Sequence, residues 1–131
     1  MRVLYLTNGF PYPLTSGYLR HHFLIRELAL EHQVTLLSLT GAGFRLDDIE
    51  GIRPLVERVE VFGGGRRSSI GKIARRIRAL VGRDEAPGVA AMAERAATLH
   101  AERPFDVVVH SGKSTHPVLD RLPGLPVAAD L

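Results

Sequence analysis

The chain has 131 residues, of which 45% are hydrophobic and 24% charged, a balance that suits one globular domain with one buried core. It contains no cysteine, which excludes a disulfide framework, a thiolate metal site and a thiol nucleophile. The net charge of +3 is concentrated: the stretch from Gly63 to Arg83 carries Arg66, Arg67, Lys72, Arg75, Arg76, Arg78 and Arg83 and no acidic residue, so the positive character is a patch.

The sequence opens with the apolar block Val3, Leu4, Tyr5 and Leu6, followed by a stretch punctuated by Gly9, Pro11, Pro13 and Gly17. This predicts a buried strand over Arg2 to Thr7 running into a loop. No leader of the secretory kind and no apolar run of about eighteen residues is present, and a soluble, cytoplasmic chain is expected. Tyr18 to His32 places Leu19, Phe23, Leu24 and Leu28 at helical spacing, with Arg20, Arg26, Glu27 and Glu31 between them and no Gly or Pro. Gln33 to Thr40, rich in Val, Leu and Thr and closed by Gly41, predicts a second strand.

Asp47 to Glu57 reads as a short helix with an acidic start, and Arg58 to Phe62 as a third strand ended by Gly63, Gly64 and Gly65. From Ile70 to Val81 the pattern is a basic amphipathic helix, with Ile70, Ile73, Ala74, Ile77, Leu80 and Val81 on one face. An alanine-rich helix over Gly88 to Glu102 follows the breaker pair Pro87 and Gly88. Phe105 to His110 is a fourth strand, Thr115 to Leu122 a short helix, and Pro126 to Leu131 the start of a fifth strand. Strands alternating with helices, each strand almost continuously apolar, predict an α/β, Rossmann-like parallel sheet of about five strands with helices on both faces, a single domain over 1–131. Val3 to Leu6, Val34 to Leu39 and Val107 to Val109 are the expected central strands. Because the sequence stops inside strand-like Pro126 to Leu131, it is expected to be cut from a longer chain.

In open α/β sheets ligands bind beyond the carboxyl ends of the strands, which directs attention to two loops. The first delivers Ser16 and Gly17 to the start of the first helix, with Arg20 beside them. There, free amides and the helix dipole favour an anion, and Gly17 permits close approach; an ordinary cap in which Ser16 accepts an amide hydrogen bond explains the same residues. The second runs His110-Ser-Gly-Lys-Ser-Thr115. Gly112, Lys113 and Ser114 copy the end of a phosphate-binding P-loop, but Val107 occupies the position of its first glycine, so that reading fails. Lys113 or Ser114 can still meet a phosphate, or simply open the following helix.

His110 is the catalytic candidate. A neutral imidazole at a strand end can act as a general base or bond a hydroxyl, or serve only as a polar cap to a buried segment. The remaining histidines, His21, His22, His32, His100 and His116, show no metal-ligand spacing with carboxylates, and no metal or cofactor is expected. His21 and His22 point about a hundred degrees apart on a helix.

The opening residues, Met-Arg-Val-Leu-Tyr-Leu-Thr-Asn-Gly-Phe-Pro-Tyr-Pro-Leu-Thr-Ser-Gly-Tyr-Leu-Arg-His-His-Phe-Leu-Ile-Arg-Glu-Leu-Ala, resemble the start of glycosyltransferase family 4, which includes sugar transferases of polysaccharide biosynthesis. The similarity extends through Arg103-Pro-Phe-Asp-Val-Val-Val-His110 to the closing Pro-Val-Ala-Ala-Asp-Leu and is best over the first forty residues. It implies the N-terminal, acceptor-side half of a GT-B fold, whose intact parent moves a sugar from a nucleoside-diphosphate sugar to a carbohydrate or lipid-linked acceptor, with retention and without a required metal. It further implies that Ser16, Gly17 and Arg20 lie near the donor diphosphate and His110 near the sugar or acceptor. A donor-binding second half would be absent and this portion inactive alone. Many family members carry Gly-Gly where this chain has Ser16-Gly17.

Two further readings stay open at this level. Lys72, Arg75, Arg76 and Arg78 would let the basic helix rest on the inner face of an anionic membrane, or be merely the solvated side of a core helix; no nucleic-acid partner is expected. The rival fold-level reading is a standalone flavodoxin-like or response-regulator-like binding module. Thr7-Asn8-Gly9 lacks the acidic cluster of a response regulator, and Gly9 and Gly17 are too widely spaced for a dinucleotide fingerprint.

Overall fold

The computed structural model describes residues 1–12, 19–40, 44–63 and 88–130. Among the described residues the strands are β1 (Arg2–Thr7), β2 (Gln33–Leu39), β3 (Arg58–Phe62), β4 (Val107–Ser111) and β5 (Val127–Asp130). They form one sheet in the order β3-β2-β1-β4-β5, and every neighbouring pair is parallel. The described helices are α1 (Leu19–Ala29), α2 (Val89–Glu102) and α3 (His116–Leu119), with 3-10 turns at Leu46–Gly51, Arg53–Leu55 and Lys113–Thr115. The fold is the expected α/β, Rossmann-like one, and the three predicted central strands are central. Its strand order follows the first five strands of the Rossmann order 3-2-1-4-5-6, whereas flavodoxin-like and response-regulator folds use the order 2-1-3-4-5.

Alternation along β1 divides the core in two. Val3 and Tyr5 face a layer with Phe10, Ile25, Val34, Leu36 and Ile52, on the side covered by α1. Leu4 and Leu6 face the other layer, where Leu37, Leu39 and Val108 meet Met92 and Ala96 of α2 and Val118 of α3. Burial on both faces is why the strand reads as an unbroken apolar block instead of an alternating one.

Three expectations need correction. On α1 the predicted stripe is out of phase: Leu19, Phe23 and Leu24 are exposed, while His21, His22 and Ile25 are buried. The helix also stops at Ala29, since Leu30 and His32 donate to the Glu27 and Leu28 carbonyls and the Gln33 N–H bonds the Met1 carbonyl, which turns the chain directly into β2. Asp47 to Glu57 is two 3-10 turns instead of one helix, because Pro54 has no N–H to continue the ladder and the Tyr12 ring packs against Gly51. The helix expected over Thr115 to Leu122 is a 3-10 turn followed by the single turn α3. The basic helix over 70–81, with Lys72, Arg75, Arg76 and Arg78, lies outside the described residues.

The amino edge of the sheet is tied together. The Arg2 guanidinium donates to the Arg103 and Pro104 carbonyls, lies 4.8 Å over the Phe105 ring and sits 3.8 Å from Glu57, while the Asp106 carboxylate accepts the Arg2 N–H at 2.7 Å.

Candidate functional site

With all strands parallel, their carboxyl ends share one edge. β1 is followed by α1 on one face and β4 by α3 on the other, so the border between these two central strands is the switch point at which open α/β sheets hold a ligand crevice. Thr7 and Asn8 line one side of it; His110, Ser111 and Gly112 line the other. The Leu6–His110 register, carried two residues further, sets Asn8 opposite Gly112.

That contact explains Gly112. Its φ is +79°, a conformation costly for any residue with a side chain, and a Cβ there would come within 2.7 Å of Asn8 Nδ2. Thr115 Oγ1 donates to the Ser111 carbonyl at 3.1 Å, fixing the turn from the following element.

Among the described residues, the buried side-chain polar atoms without a hydrogen-bond partner are Arg2 Nε at the amino edge and Thr7 Oγ1, Asn8 Oδ1, His22 Nδ1 and His110 Nδ1 toward the carboxyl edge. Such atoms are costly to leave unpaired; Asn8 and His110 stand at the border of β1 and β4, where a polar ligand would be rewarded, while the His22 ring lies beside Tyr12, 6.2 Å between centroids. His110 belongs to the α2 and α3 face, with its ring centroid 6.1 Å from that of His116. Burial pushes its imidazole below the ordinary value and the neighbouring His116 adds to this, while the nearby Gly112 backbone partly opposes them. His110 is therefore neutral near pH 7, able to accept or donate one hydrogen bond to a hydroxyl. The His22 imidazole is lowered as well, by burial first and Arg26 second.

On the α1 face, His21 spans the crevice wall. Its Nδ1 is 2.8 Å from Tyr5 Oη and its Nε2 is 3.0 Å from Ser111 Oγ, linking α1, β1 and β4.

Solved structures place this architecture among known folds. The chain is similar to the C-terminal domain of a hydrogenase from Pyrococcus furiosus in two crystal structures. One match has 16% identity and a TM-score of 0.63 and covers 99% of this chain and 90% of that one; the other has 15% identity and a TM-score of 0.61 and covers 98% and 90%. At this identity the likeness shows the α/β fold alone. No protein-family model and no curated protein matches the sequence.

Of the residues singled out from sequence, His110 stands in the crevice, and Arg20 is exposed in the first turn of α1. Ser16 and Gly17 lie outside the described residues. Lys113 is exposed in the turn after β4. Sequence reasoning missed Asn8, Ser111 and His21, which the fold brings to the same edge.

Proposed function

We propose that this chain is the acceptor-side half of a glycosyltransferase that moves a sugar from a nucleoside-diphosphate sugar to a carbohydrate or lipid-linked acceptor, as the resemblance of its opening residues to family 4 implies. The observation that carries the reading is His110: a neutral imidazole with a buried, unpartnered Nδ1, at the crevice between β1 and β4 where open α/β sheets take their ligands. A neutral imidazole there bonds a sugar or acceptor hydroxyl and orients it without introducing a charge beside the reacting centre. Asn8 Oδ1, two residues along from the partner of His110 on β1, supplies a second acceptor for hydroxyl groups. The resemblance assigns the diphosphate to Ser16 and Gly17, which precede α1 in sequence, with Arg20 in the first turn of that helix. A second α/β half would hold most of the donor, and the basic residues Lys72, Arg75, Arg76 and Arg78 would bring the enzyme to the inner face of an anionic membrane.

The test is transfer by the longer protein that this reading requires, followed as release of nucleoside diphosphate from a panel of sugar nucleotides. His110→Ala is expected to slow turnover by about 100-fold or more, the scale of a lost acid–base or orienting group. Gly17→Val is expected to weaken donor affinity while leaving the fold intact. Unchanged turnover and donor affinity in both variants would remove the assignment.

A further inference from the structure

Three buried side chains on the α1 face form a hydrogen-bonded chain that sugar transfer does not use. Ser111 Oγ is 3.0 Å from His21 Nε2, and His21 Nδ1 is 2.8 Å from Tyr5 Oη. The three residues come from the end of β4, the first turns of α1 and the middle of β1, and Ser111 is 8% exposed at the carboxyl edge. If Ser111 donates to Nε2, the imidazole carries its own proton on Nδ1 and donates it to the Tyr5 oxygen. That is the tautomer in which a histidine takes the proton of an attacking hydroxyl.

The local chain path fits the same role. Ser111 ends a central parallel strand, Gly112 turns at φ +79°, and the 3-10 turn Lys113–Thr115 begins at once. Ser111 thus closes a central strand at the carboxyl end of the sheet, the end at which α/β hydrolases carry their nucleophile, although here the sharp turn is made by Gly112 and not by the serine itself. Thr115 Oγ1 holds the Ser111 carbonyl, so the backbone on the far side of the nucleophile is fixed too.

We propose that Ser111 is a nucleophile activated by His21, with Tyr5 positioning the imidazole, and that the chain thereby carries an acyl-transfer activity toward activated esters. Ser111 Oγ bonds to the ester carbonyl carbon as its proton passes to His21 Nε2. The alkoxide of the ester then leaves, taking that proton as the alcohol, and an acyl-serine remains. Water attacks the acyl carbon by the same route, giving up a proton to His21, and the carboxylic acid departs as Ser111 Oγ regains the proton. The Gly112 amide, immediately after the serine, is the backbone donor that such arrangements use for the oxyanion. Tyr5 is a neutral phenol where serine hydrolases place a carboxylate, so the imidazolium is less stabilised and the activity is confined to good leaving groups.

The inference is independent of sugar transfer and is tested on the 131-residue chain itself with a fluorophosphonate probe, followed by intact mass and peptide mapping. In labelling, the Oγ–P bond forms, the P–F bond breaks, fluoride departs and His21 takes the proton. The expected result is one adduct, on Ser111, that is absent after unfolding in urea and absent in Ser111→Ala with its circular dichroism unchanged. His21→Gln is expected to label at least about 100-fold more slowly. Should that variant fail to fold, Tyr5→Phe, which removes one oxygen, is read in its place and labels more slowly than the wild type. No adduct on Ser111 in the folded chain, an adduct on another serine only, or an undiminished rate in the folded His21 or Tyr5 variant overturns the proposal and leaves the three groups as a packing contact.

Discussion

His110 illustrates how one side chain carries both a cost and a use. Its position in β4 follows from register with Leu6, but its environment is set by its surroundings on the α2 and α3 face: the ring is half-buried there, and His116 adds a competing imidazole. Both depress its affinity for a proton relative to the unfolded chain. As pH falls below the ordinary imidazole value of 6.5, the unfolded chain therefore binds the proton first, and stability is lost until the folded imidazole also titrates. His110→Gln, which keeps an amide in place of the ring and cannot titrate, should flatten that loss. Melting temperatures between about pH 7 and pH 5 are expected to fall less steeply in the variant than in the wild type. Identical slopes would show that His110 is not held neutral by its surroundings. The sequence made His110 legible because it ends an apolar strand. Asn8 and Ser111 were not legible: Asn8 follows β1 as an ordinary loop residue, and its pairing with Gly112 exists only once two strands separated by most of the chain lie side by side.

At the scale of elements, α1 shows why periodicity alone can choose the wrong face. Leu19, Phe23, Leu24 and Leu28 make a helical stripe, but so do His21, His22, Ile25, Leu28 and Ala29, and the second set is the one that turns toward the sheet. An apolar count favours the first; what decides is that His21 finds Tyr5 and Ser111 as hydrogen-bond partners, so that burying an imidazole carries no unpaired-group penalty. The outer face keeps Phe23 under the Arg26 guanidinium, 5.9 Å away, where its exposure is tolerated. The two phases predict opposite results for neighbouring substitutions. Ile25→Ala removes a side chain with 0% exposure and should cost about 2–5 kcal/mol, whereas Phe23→Ala, on the solvent side, should stay within roughly 0.5 kcal/mol of wild type. Urea denaturation of the two variants separates them; a larger loss for Phe23→Ala would restore the apolar stripe as the buried face.

For the whole molecule, the sheet was the most legible feature, because strands buried on both sides must be apolar at successive positions and no other element of that length is. Fold class, strand positions and the central three followed from this. The strand order did not, since nothing in the alternation of strands and helices distinguishes β3-β2-β1-β4-β5 from an order in which β3 crosses to the other side. The observed order makes β1 and β4 neighbours, and the integrity of the crevice then depends on their shared core. Val108 lies at its middle, paired with Leu4 and Val127, at 0% exposure in the layer formed with α2 and α3. Val108→Asp would place a carboxylate there with no cation in that layer to receive it among the described residues. The side chain must either stay ionised in an apolar layer or take up a proton, and both cost several kcal/mol against a typical total stability of about 5–15. Loss of cooperative thermal unfolding is expected, with far-ultraviolet circular dichroism showing the helical signal reduced already at low temperature. A melting curve matching the wild type would mean that β4 does not occupy the centre of the sheet, and with it the crevice between β1 and β4 would have to be given up.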